Sequence, residues 1–565
     1  MIICGLKLTH DGAIALIDNG KLVFCYEMEK LNNSPRYSNL HLNFETICGF
    51  LNAHGCNLED VDQIVIDGWG DELGFNTDKE EEYTMPVDLG KGSFTLRFAE
   101  YGYIIHDENL LERKEFNYPE QGLSYSSYRH ASGHIMAAYC TSPFAKRKED
   151  SFVLGWDGGM VPQLFYYHWR DNKIENLGPI FLLMGYIYQR FAMKFKPYDH
   201  LPLSDLTVAG KVMAYIALGK VQDELLKEFR KIYREQNDEF ADVTMTPVIS
   251  RAYTQVLLTR FVEYGKAHGW TGEDMMASFH YFLQELLIKG LEEKVKNYPA
   301  YAKNLCFAGG CALNIKWNSA IRGSGIFKEM WVPPFPNDSG SAVGTACCEM
   351  IERTHINSLD WNVYSGPPLI DNQEQAPASW TKRPYSLKEL ARLLHETSEP
   401  VVFLNGRAEL GPRALGNRSI LAAAVDKSMK DHLNKIKERA YYRPVAPICL
   451  EEDAPKIFNP GIPDPLMLYD HDVRDGWKDK IPAVCHLDGS SRVQTVNRRE
   501  NSEIYELLTE YKKLSGIPLL CNTSANLKGR GFFPDVRSAL EWEQVNFVWT
   551  NHTLYIKKGC EKSVK

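Results

Sequence analysis

Residues 2–29 read IICGLKLTHDGAIALIDNGKLVFCYEME, and the spacing of apolar runs and turns in this stretch predicts three short strands. The first strand ends before the turn at THDG, and the apolar run AIALI forms the second. Asp18-Asn19-Gly20 then joins the second strand to a third, because Asn and Gly tolerate the positive φ angles that a tight hairpin needs. The chain is therefore expected to begin with a three-stranded meander.

Residues 151–176, SFVLGWDGGMVPQLFYYHWRDNKIEN, repeat this plan. A strand ends at Asp157 beside Gly158, and two further strands are joined at RDNK. Such a duplication resembles the actin, sugar kinase and Hsp70 (ASKHA) fold, in which two hairpins hold the phosphates of a nucleotide. Two unrelated hairpins would give the same pattern, and a fold alone assigns no function. The fold class that this pattern favours is α/β, with a duplicated ASKHA-like N-terminal domain.

Length and composition set the outer limits. A chain of 565 residues is too long for one core, so two or more domains are expected. The net charge of −9 gives no basic surface for polymeric nucleic acid, although a local basic groove stays open. The N-terminus does not read as a signal peptide, and no apolar run approaches a membrane span. Thirteen cysteines without a CxxC pair predict reduced, buried thiols in a cytoplasmic protein.

Two histidines lie four residues apart in YRHASGHIMAAY, residues 128–139. Positions i and i+4 share one face of a helix, so His130 and His134 can reach a single metal ion. Zinc proteases place a glutamate after the first histidine, and Ala131 stands there instead, so a protease is not expected. Two ligands do not complete a site, and the spacing alone also arises by chance.

Two glycine- and proline-rich segments supply further candidates. LCFAGGCALNIKWNSAI, residues 305–321, reads as a strand, the pair Gly309-Gly310 and a helix, where a nucleotide can approach the backbone. A tight turn would explain the same glycines. WVPPFPNDSGSAVGTACCEM, residues 331–350, places Asp338 before a helix of small residues, either as a simple cap or as a ligand.

A second module follows residues 357–380, a polar stretch rich in proline and glycine that reads as a linker. Its strongest feature is arginine beside glycine or proline, in the segments NGRAELGPRALGNRSILAAA, HLNKIKERAYYRPVAPICLEED and HLDGSSRVQTV. One guanidinium group can donate two parallel hydrogen bonds to two phosphate oxygens, so these segments suit a small, highly charged anion. Surface salt bridges are the alternative.

These segments, taken in order, resemble the NodU/CmcH family of O-carbamoyltransferases from end to end. The resemblance rests on THDGAIAL, HASGH, GWDGG, GKVMAYIALG, FAGGCALN, PPFPNDSGSAVG, GRAELGPRALGNRSIL, RPVAP, DGSSRVQTV and LLCNTSANLKG. It implies a Kae/TsaD-like carbamoyl-transfer domain over residues 1–356, the linker 357–380 and a YrdC-like α/β domain over residues 381–565. The second domain would form carbamoyl-adenylate from carbamoyl phosphate and ATP, with Mg²⁺, and the first would transfer the carbamoyl group to a hydroxyl.

The resemblance also implies roles for individual residues. His10 matches the base that takes the proton of the acceptor hydroxyl. The metal ligands would be His130, His134, Asp157 and Asp338, and the ion usually assigned in the family is iron, Fe²⁺, although manganese or zinc would suit the same donors. The nucleotide of the first domain would lie against Asp11, Gly158, Gly309, Gly310 and Asn314. Carbamoyl phosphate and ATP in the second domain would lie against Lys437, Arg443, Arg492, Asn522, Ser524, Arg413 and Arg418.

The chain departs from the family at residues 26–37, YEMEKLNNSPRY. Relatives commonly have EEER there, so Lys30 stands in place of arginine, and in relatives this segment borders the acceptor pocket. The acceptor itself stays open among antibiotic-like molecules, sugars and a hydroxymethylated nucleobase. A tRNA threonylcarbamoyltransferase and a non-catalytic ASKHA nucleotide-binding protein are the rival functions. No membrane partner is expected, and a homodimer is neither indicated nor excluded.

Overall fold

The computed structural model describes residues 1–31, 38–40, 42–68, 84–88, 93–97, 105–120, 122–370, 372, 376–528 and 530–564. The chain divides into two compact units. The first comprises Met1–Cys25 and Tyr37–Asn362, and the second comprises Tyr26–Arg36 and Val363–Lys565. Among the described helices, none combines the length and apolar character that crossing a membrane requires.

The first half of the first unit is built on a six-stranded mixed sheet. Its strand order is β3-β2-β1-β5-β9-β8, and a small sheet of β4, β6 and β7 lies apart from it. The elements are β1 (Ile2–Lys7), β2 (Ala13–Asp18), β3 (Lys21–Glu27), β4 (Leu42–Asn43), α1 (Phe44–Asn52), β5 (Gln63–Asp67), β6 (Thr84–Asp88), β7 (Ser93–Arg97), β8 (Lys114–Tyr118) and β9 (Leu123–Tyr128).

The second half repeats this architecture with a five-stranded sheet of order β12-β11-β10-β13-β14. A group of five helices lies between its third and fourth strands in sequence. The elements are α2 (His130–Cys140), α3 (Pro143–Arg147), β10 (Ser151–Gly155), β11 (Gln163–His168), β12 (Lys173–Pro179), α4 (Ile187–Ala192), α5 (Val208–Tyr215), α6 (Asp223–Glu239), α7 (Pro247–Ala267), α8 (Gly272–Lys296), β13 (Asn304–Ala308), α9 (Ile315–Gly323), β14 (Glu329–Trp331) and α10 (Ser341–Thr354).

The two sheets confirm the predicted duplication. In each, a first strand pairs antiparallel with a second and parallel with a later strand: β1 with β2 and β5, and β10 with β11 and β13. The predicted hairpin turn is also present, since Asn19 and Gly20 have φ angles of 47° and 81°, as a tight turn between β2 and β3 requires. This is the topology that the ASKHA resemblance implied for the first domain.

Close packing of α2 against α10 sets the geometry of the first unit. A Cβ atom on Gly344 would lie 1.8 Å from the carbonyl oxygen of Gly133, so the two helices meet backbone to backbone. Every residue of α2 is buried. The two predicted ligand segments, His130 and His134 on α2 and Asp338 just before α10, are thereby brought into one region.

The second unit contains an eight-stranded mixed sheet of order β15-β25-β24-β16-β17-β23-β18-β22 and a three-stranded sheet of β19, β20 and β21. Its elements are β15 (Trp380–Pro384), α11 (Leu387–Thr397), β16 (Val401–Leu404), β17 (Arg418–Ala422), α12 (Ser428–Ile436), β18 (Ala446–Leu450), α13 (Ala454–Ile457), β19 (Phe458–Asn459), β20 (His471–Val473), α14 (Asp475–Lys478), β21 (Ser490–Ser491), β22 (Gln494–Val496), α15 (Ser502–Ser515), β23 (Leu519–Ser524), α16 (Val536–Glu541), β24 (Phe547–Thr550) and β25 (Thr553–Lys557).

The division into units differs from the domains that the sequence suggested. The chain contacts place Tyr26–Arg36 with the second unit, whereas the sequence assigned all of residues 1–356 to the first domain. The functional limits of 1–356, 357–380 and 381–565 stay a prediction. Of the segment 26–37, residues 32–37 lie outside the described part of the chain.

Candidate functional site

The four predicted metal ligands converge in the first unit. One ligand atom each from His130, His134, Asp157 and Asp338 lies within 4.8 Å of the others. Nε2 of both histidines is 3.5 Å from Oδ1 of Asp338, and three of the four residues are buried. We call these four residues the His/Asp cluster. Two imidazoles and two carboxylates are a donor set that fits a divalent transition metal.

An unsatisfied nitrogen supports this fit. Within the described residues, the buried Nε2 atom of His134 has no hydrogen-bond partner. Buried polar atoms are nearly always hydrogen-bonded, so such an atom requires an explanation. A metal ion coordinated by Nε2 would provide one.

A second shell orients the first histidine. Nδ1 of His130 lies 2.7 Å from Oδ2 of Asp67, which leaves Nε2 directed at the His/Asp cluster. Lys7 Nζ lies 3.3 Å from the same oxygen of Asp67 and 3.0 Å from Oδ2 of Asp338. In metal-binding histidines, the ring nitrogen that does not bind the metal typically donates a hydrogen bond to a carboxylate. Sequence reasoning missed Asp67 and Lys7, although both stand at the carboxyl ends of parallel strands, β5 and β1.

The charges of this region balance one another. Burial by itself would lower the pKa of His130, but the carboxylates of Asp67 and Asp338 outweigh it and raise that pKa to about 9. Burial would raise the pKa of Asp338, but Lys7, His130 and His10 hold it well below its usual value. The carboxylate ligand is thus ionised, and a metal ion would have to displace a proton from His130.

His10 lies beside the cluster, in the turn between β1 and β2. Its Nδ1 is 3.1 Å from Oδ2 of Asp11, and its Nε2 is 3.6 Å from Oδ2 of Asp338. Burial acts to lower the pKa of His10, while Asp338 and Asp11 together raise it above its ordinary value. The side chain stays 30% exposed, so a substrate can reach it.

The residues predicted to bind the nucleotide lie near Asp157 but differ in their present contacts. Gly309 has a φ angle of 89°, and a Cβ there would lie 2.3 Å from the Trp156 carbonyl oxygen. Gly310 N–H donates to Oδ1 of Asp157 at 2.5 Å, so the glycine pair fixes that carboxylate. Asn314 caps α9, whereas Gly158 faces open space. Asp11 accepts from Asn337 Nδ2 at 3.4 Å.

A second group of functional side chains lies in the second unit, where four cations face one another. Lys437, Arg439, Arg443 and Arg492 form what we call the cation cluster. Burial first, and then Arg439 and Arg443, lower the pKa of Lys437 well below its usual value. Burial and neighbouring arginines also lower the pKa of Arg439 to about 9 and that of Arg492 to about 10. Lys437 is buried and the three arginines are partly buried, and like charges gathered in such a place indicate a site for an anion.

The end of β23 holds the cation cluster in place. Lys437 Nζ donates to the carbonyl oxygen and to Oγ of Ser524, the latter at 3.2 Å. Asn522 Nδ2 donates to the Ala414 carbonyl oxygen at 3.0 Å and to Oε1 of Gln494 at 2.8 Å. In the described part of the chain, Oδ1 of Asn522 and Nε of Arg492 have no hydrogen-bond partner. These two atoms are available to a ligand.

Three arginines near this site, Arg418, Arg413 and Arg439, differ in their contacts and exposure. Arg418 donates to the carbonyl oxygens of Asn405, Asn417 and Gly406 at 2.5, 3.0 and 3.1 Å, and it is 1% exposed. These contacts favour a role in fixing the loop over direct contact with a phosphate. Arg413 is partly exposed in the same loop. Sequence reasoning missed Arg439, which stands two residues after Lys437 and donates to Asn434 Oδ1 at 2.7 Å.

Comparison with known proteins assigns the family. The model described as Carbamoyltransferase N-terminus matches residues 2–347, and Carbamoyltransferase C-terminus matches residues 391–557. The chain belongs to the carbamoyltransferase family. Nodulation protein U of Sinorhizobium fredii is 47% identical over 574 residues, covering 99% of this chain and 100% of the relative. A 3'-hydroxymethylcephem-O-carbamoyltransferase of Streptomyces clavuligerus is 31% identical, covering 98% and 99% of the two chains.

Solved structures add little. The activator of the 2-hydroxyisocaproyl-CoA dehydratase from Clostridium difficile, with bound ADPNP, matches 63% of this chain and 97% of its own length. Its sequence identity is 13% and its TM-score is 0.31, which is too low to support any inference. The family models and the curated relatives confirm the resemblance to NodU/CmcH O-carbamoyltransferases.

Proposed function

We propose that this family member is an ATP-dependent O-carbamoyltransferase that divides its reaction between two sites. The observation that carries the proposal is the presence of two chemically different sites, the cation cluster and the His/Asp cluster, in separate compact units. The second unit, as a YrdC-like domain, forms carbamoyl-adenylate. The first unit, as a Kae/TsaD-like domain, transfers the carbamoyl group to a hydroxyl.

In the first step the cation cluster binds carbamoyl phosphate, a small dianion. Arg443 and Arg492 offer guanidinium groups that grip phosphate oxygens in pairs, and Lys437 adds a point charge. Burial first, and then repulsion from neighbouring arginines, lower the pKa values of Lys437 and Arg492, and a bound anion would offset both effects. Asn522 and Ser524 contribute an amide and a hydroxyl beside them. Arg413 then suits the phosphates of ATP, with Mg²⁺ as the usual counterion.

The products of this step follow from atom balance. One water releases phosphate from carbamoyl phosphate and leaves carbamate. A carbamate oxygen then attacks the α-phosphorus of ATP, and pyrophosphate departs with the electrons of the broken phosphoanhydride bond. The product is carbamoyl-adenylate. The step therefore consumes carbamoyl phosphate, ATP and water, and releases phosphate and pyrophosphate.

In the second step the acceptor hydroxyl attacks the carbamoyl carbon and AMP leaves. His10 is placed to take the hydroxyl proton at Nε2, because Nδ1 is engaged by Asp11 at 3.1 Å. Asp11, Gly158, Gly309, Gly310 and Asn314 would surround the adenylate. A divalent metal held by His130, His134, Asp157 and Asp338, iron by family resemblance, would stabilise negative charge on the departing phosphate.

The proposed acceptor is a hydroxyl of a small molecule. The cephem relative is named for a hydroxymethyl acceptor, and the relatives with higher identity are named nodulation proteins. The family resemblance implies nodulation oligosaccharides among the acceptors. We therefore place an oligosaccharide hydroxyl first and a hydroxymethylated nucleoside second. The net charge of −9 disfavours polymeric nucleic acid as the acceptor.

Mass spectrometry of products tests this function. The purified protein is incubated with carbamoyl phosphate, ATP and each of an oligosaccharide, a hydroxymethyl cephem and a hydroxymethylated nucleoside. We expect one acceptor to gain a single carbamoyl group and AMP to appear in equal amount, with neither formed when ATP or carbamoyl phosphate is omitted. Carbamoyl phosphate-dependent ATP–pyrophosphate exchange checks the first step alone. Absence of exchange under all conditions would contradict the two-step reaction.

A further inference from the structure

A buried lysine that neither candidate site uses lies just after β3. Lys30 is 1% exposed, and its ammonium group contacts three oxygen atoms, one as an ion pair and two as hydrogen-bond acceptors. These are the carboxylate of Glu27 and the carbonyl oxygens of Glu409 and Gly411, the last at 2.7 Å. The Phe532 ring lies 5.3 Å from Nζ. We call these five residues the Lys30 cluster, and all five belong to the second unit.

Glu27 and Glu409 extend the Lys30 cluster into the loop of residues 409–418. Oε1 of Glu27 accepts from the Gly411 N–H at 2.9 Å. Oε1 of Glu409, which is fully buried, accepts from the N–H groups of Leu415, Asn417 and Arg418 at 2.7, 2.8 and 3.1 Å. The start of the 409–418 loop is thus tied to Lys30 and Glu27, and its end is tied to Glu409.

The same loop supports one side of the cation cluster. The Ala414 carbonyl oxygen accepts from Asn522 Nδ2 at 3.0 Å, and the Leu415 carbonyl oxygen accepts from Gln494 Nε2 at 2.8 Å. Asn522 lies on β23, two residues before Ser524, which contacts Lys437. A shift of the loop backbone would therefore move the amide of Asn522.

Residues 525–528 and 530–533, which we call the 525–533 segment, support the other side. Gly531 lies so close to Glu29 that a Cβ there would fall 1.4 Å from the Glu29 carbonyl oxygen. The Phe533 N–H donates to the Ala525 carbonyl oxygen at 2.9 Å, and Ala525 directly follows Ser524. Residues 27–30 thus contact both the 409–418 loop, which is hydrogen-bonded to Asn522 of β23, and the segment that follows the end of β23.

We propose that Lys30 is a positioning residue for the carbamoyl phosphate and ATP site. With Glu27, it holds the 409–418 loop and the 525–533 segment in register with Asn522 and Ser524, and it acts only through their backbone. This inference rests on the proposed function of the second unit. It also implies that residues 381–565 do not contain the complete adenylate-forming site, because residues 27–30 belong to its framework.

The test compares three full-length variants in carbamoyl phosphate-dependent ATP–pyrophosphate exchange. Lys30→Met removes the charge, Lys30→Arg keeps it, and Leu394→Ala opens a cavity in the core of the same unit, outside both segments. We expect Lys30→Met to raise the KM for carbamoyl phosphate or ATP about tenfold or more, because a buried charge-assisted network is lost. Lys30→Arg should restore part of this. Leu394→Ala should lower the Tm and leave both KM values near those of the wild type.

Hydrogen exchange at the amides of Leu415, Asn417 and Arg418 gives a readout that does not depend on activity. These amides should exchange faster in Lys30→Met than in Leu394→Ala. If Lys30→Met does not fold, the double variant Glu27→Gln/Lys30→Met is used in its stead. It also removes the buried carboxylate that Lys30→Met leaves unpaired. Absence of wild-type activity would refute the proposed function, and the amides would still test Lys30. Wild-type KM values, or amide protection equal to that in Leu394→Ala, would overturn the positioning role.

Discussion

The His/Asp cluster of the first unit and the cation cluster of the second place buried charges in opposite ways. Around the His/Asp cluster, Lys7, Asp67, His130 and Asp338 alternate in sign and lie within 3.5 Å of one another in successive pairs. In the cation cluster, the charges have the same sign, and Lys437 and Arg439 donate to neutral oxygens. The first arrangement pairs its charges without a ligand, whereas a bound anion would relieve the repulsion within the second. A site for a cation and a site for an anion can thus be distinguished without a bound ligand.

The largest expected effect is on metal content. The wild-type protein should contain about one divalent transition metal ion per chain, and His130→Ala should contain almost none, because two imidazoles and two carboxylates leave no spare ligand. Elemental analysis of both proteins measures this, with His395→Ala as a control histidine in the second unit. ATP–pyrophosphate exchange should persist in His130→Ala. Equal metal in His130→Ala and the wild type would remove the assignment.

The next effect separates the two steps. His10→Asn should lower carbamoyl transfer by about 10²- to 10⁴-fold, the usual contribution of a general base, and leave exchange intact. Product formation and exchange are measured on the same preparation. His268→Asn, in an exposed histidine at the end of α7, is the matched control. A loss of exchange in His10→Asn would instead assign His10 to folding or to the first step.

Removing an arginine from the cation cluster should impair the first step and leave the His/Asp cluster unchanged. Arg443→Ala should weaken carbamoyl phosphate binding about tenfold to a hundredfold, since a charge-assisted hydrogen bond contributes roughly 1.5–3 kcal/mol. Arg443→Lys should recover little, because a point charge does not replace the planar guanidinium. Calorimetric titration gives the Kd, and elemental analysis confirms unchanged metal. Full recovery by lysine would indicate a merely electrostatic contact.

Asp67→Asn tests the second shell of the His/Asp cluster. Its amide keeps the shape of the carboxylate but loses the charge that orients His130 and pairs with Lys7. Metal affinity should fall about 10- to 100-fold, as is usual for outer partners of a metal-binding histidine. Competition with a chelator measures the shift, and Asp62→Asn serves as an exposed control. Unchanged affinity would make Asp67 a structural residue only.

Local pattern explains what the sequence predicted. The two meanders follow from hairpin turns such as Asn19-Gly20, and the histidine pair follows from the i, i+4 spacing of His130 and His134. Lys7 and Asp67 were not predictable in this way, because the register of β1 against β5, set by tertiary pairing, brings them together. The contacts of Lys30 were not predictable for the same reason. Its neighbours in sequence precede β5, whereas its contacts are Glu409 and Gly411.

The cation cluster was predicted in part. The family resemblance assigned Arg443 and Arg492, and their positions beside a proline and a glycine turn agreed with that assignment. Arg439 has no such neighbour in KERAYYRP, so nothing in the sequence distinguished it from a surface arginine. Arg418 shows the converse, since a position in a glycine-rich loop suggested a phosphate contact and its guanidinium instead binds the carbonyl oxygens of that loop. Turn residues in the sequence identify arginines whose backbone is restricted. They do not identify the groups that the arginine side chains contact.

The smallest expected effect is on the free energy of unfolding without a ligand. It tests the difference between the His/Asp cluster and the cation cluster most directly. The carboxylate of Asp464 attracts Arg492, but this attraction is weaker than the effects of burial and of repulsion from Arg443. Arg492→Gln should therefore change the free energy of unfolding of the unliganded protein by less than about 1 kcal/mol, or raise it. Lys7→Met, which leaves Asp67 and Asp338 buried without their shared cation, should lower it by about 3–5 kcal/mol.

When the anion is bound, the wild type should be more stable than Arg492→Gln. Carbamoyl phosphate at about 100 times its Kd should stabilise the wild type by about 2.7 kcal/mol and Arg492→Gln by much less. Chemical denaturation with and without the anion measures both terms, and Arg499→Gln controls for loss of an exposed arginine in the same unit. If Arg492→Gln costs as much stability as Lys7→Met before any anion is added, the cation cluster is held by internal pairing. It would then not be a site that requires an anion.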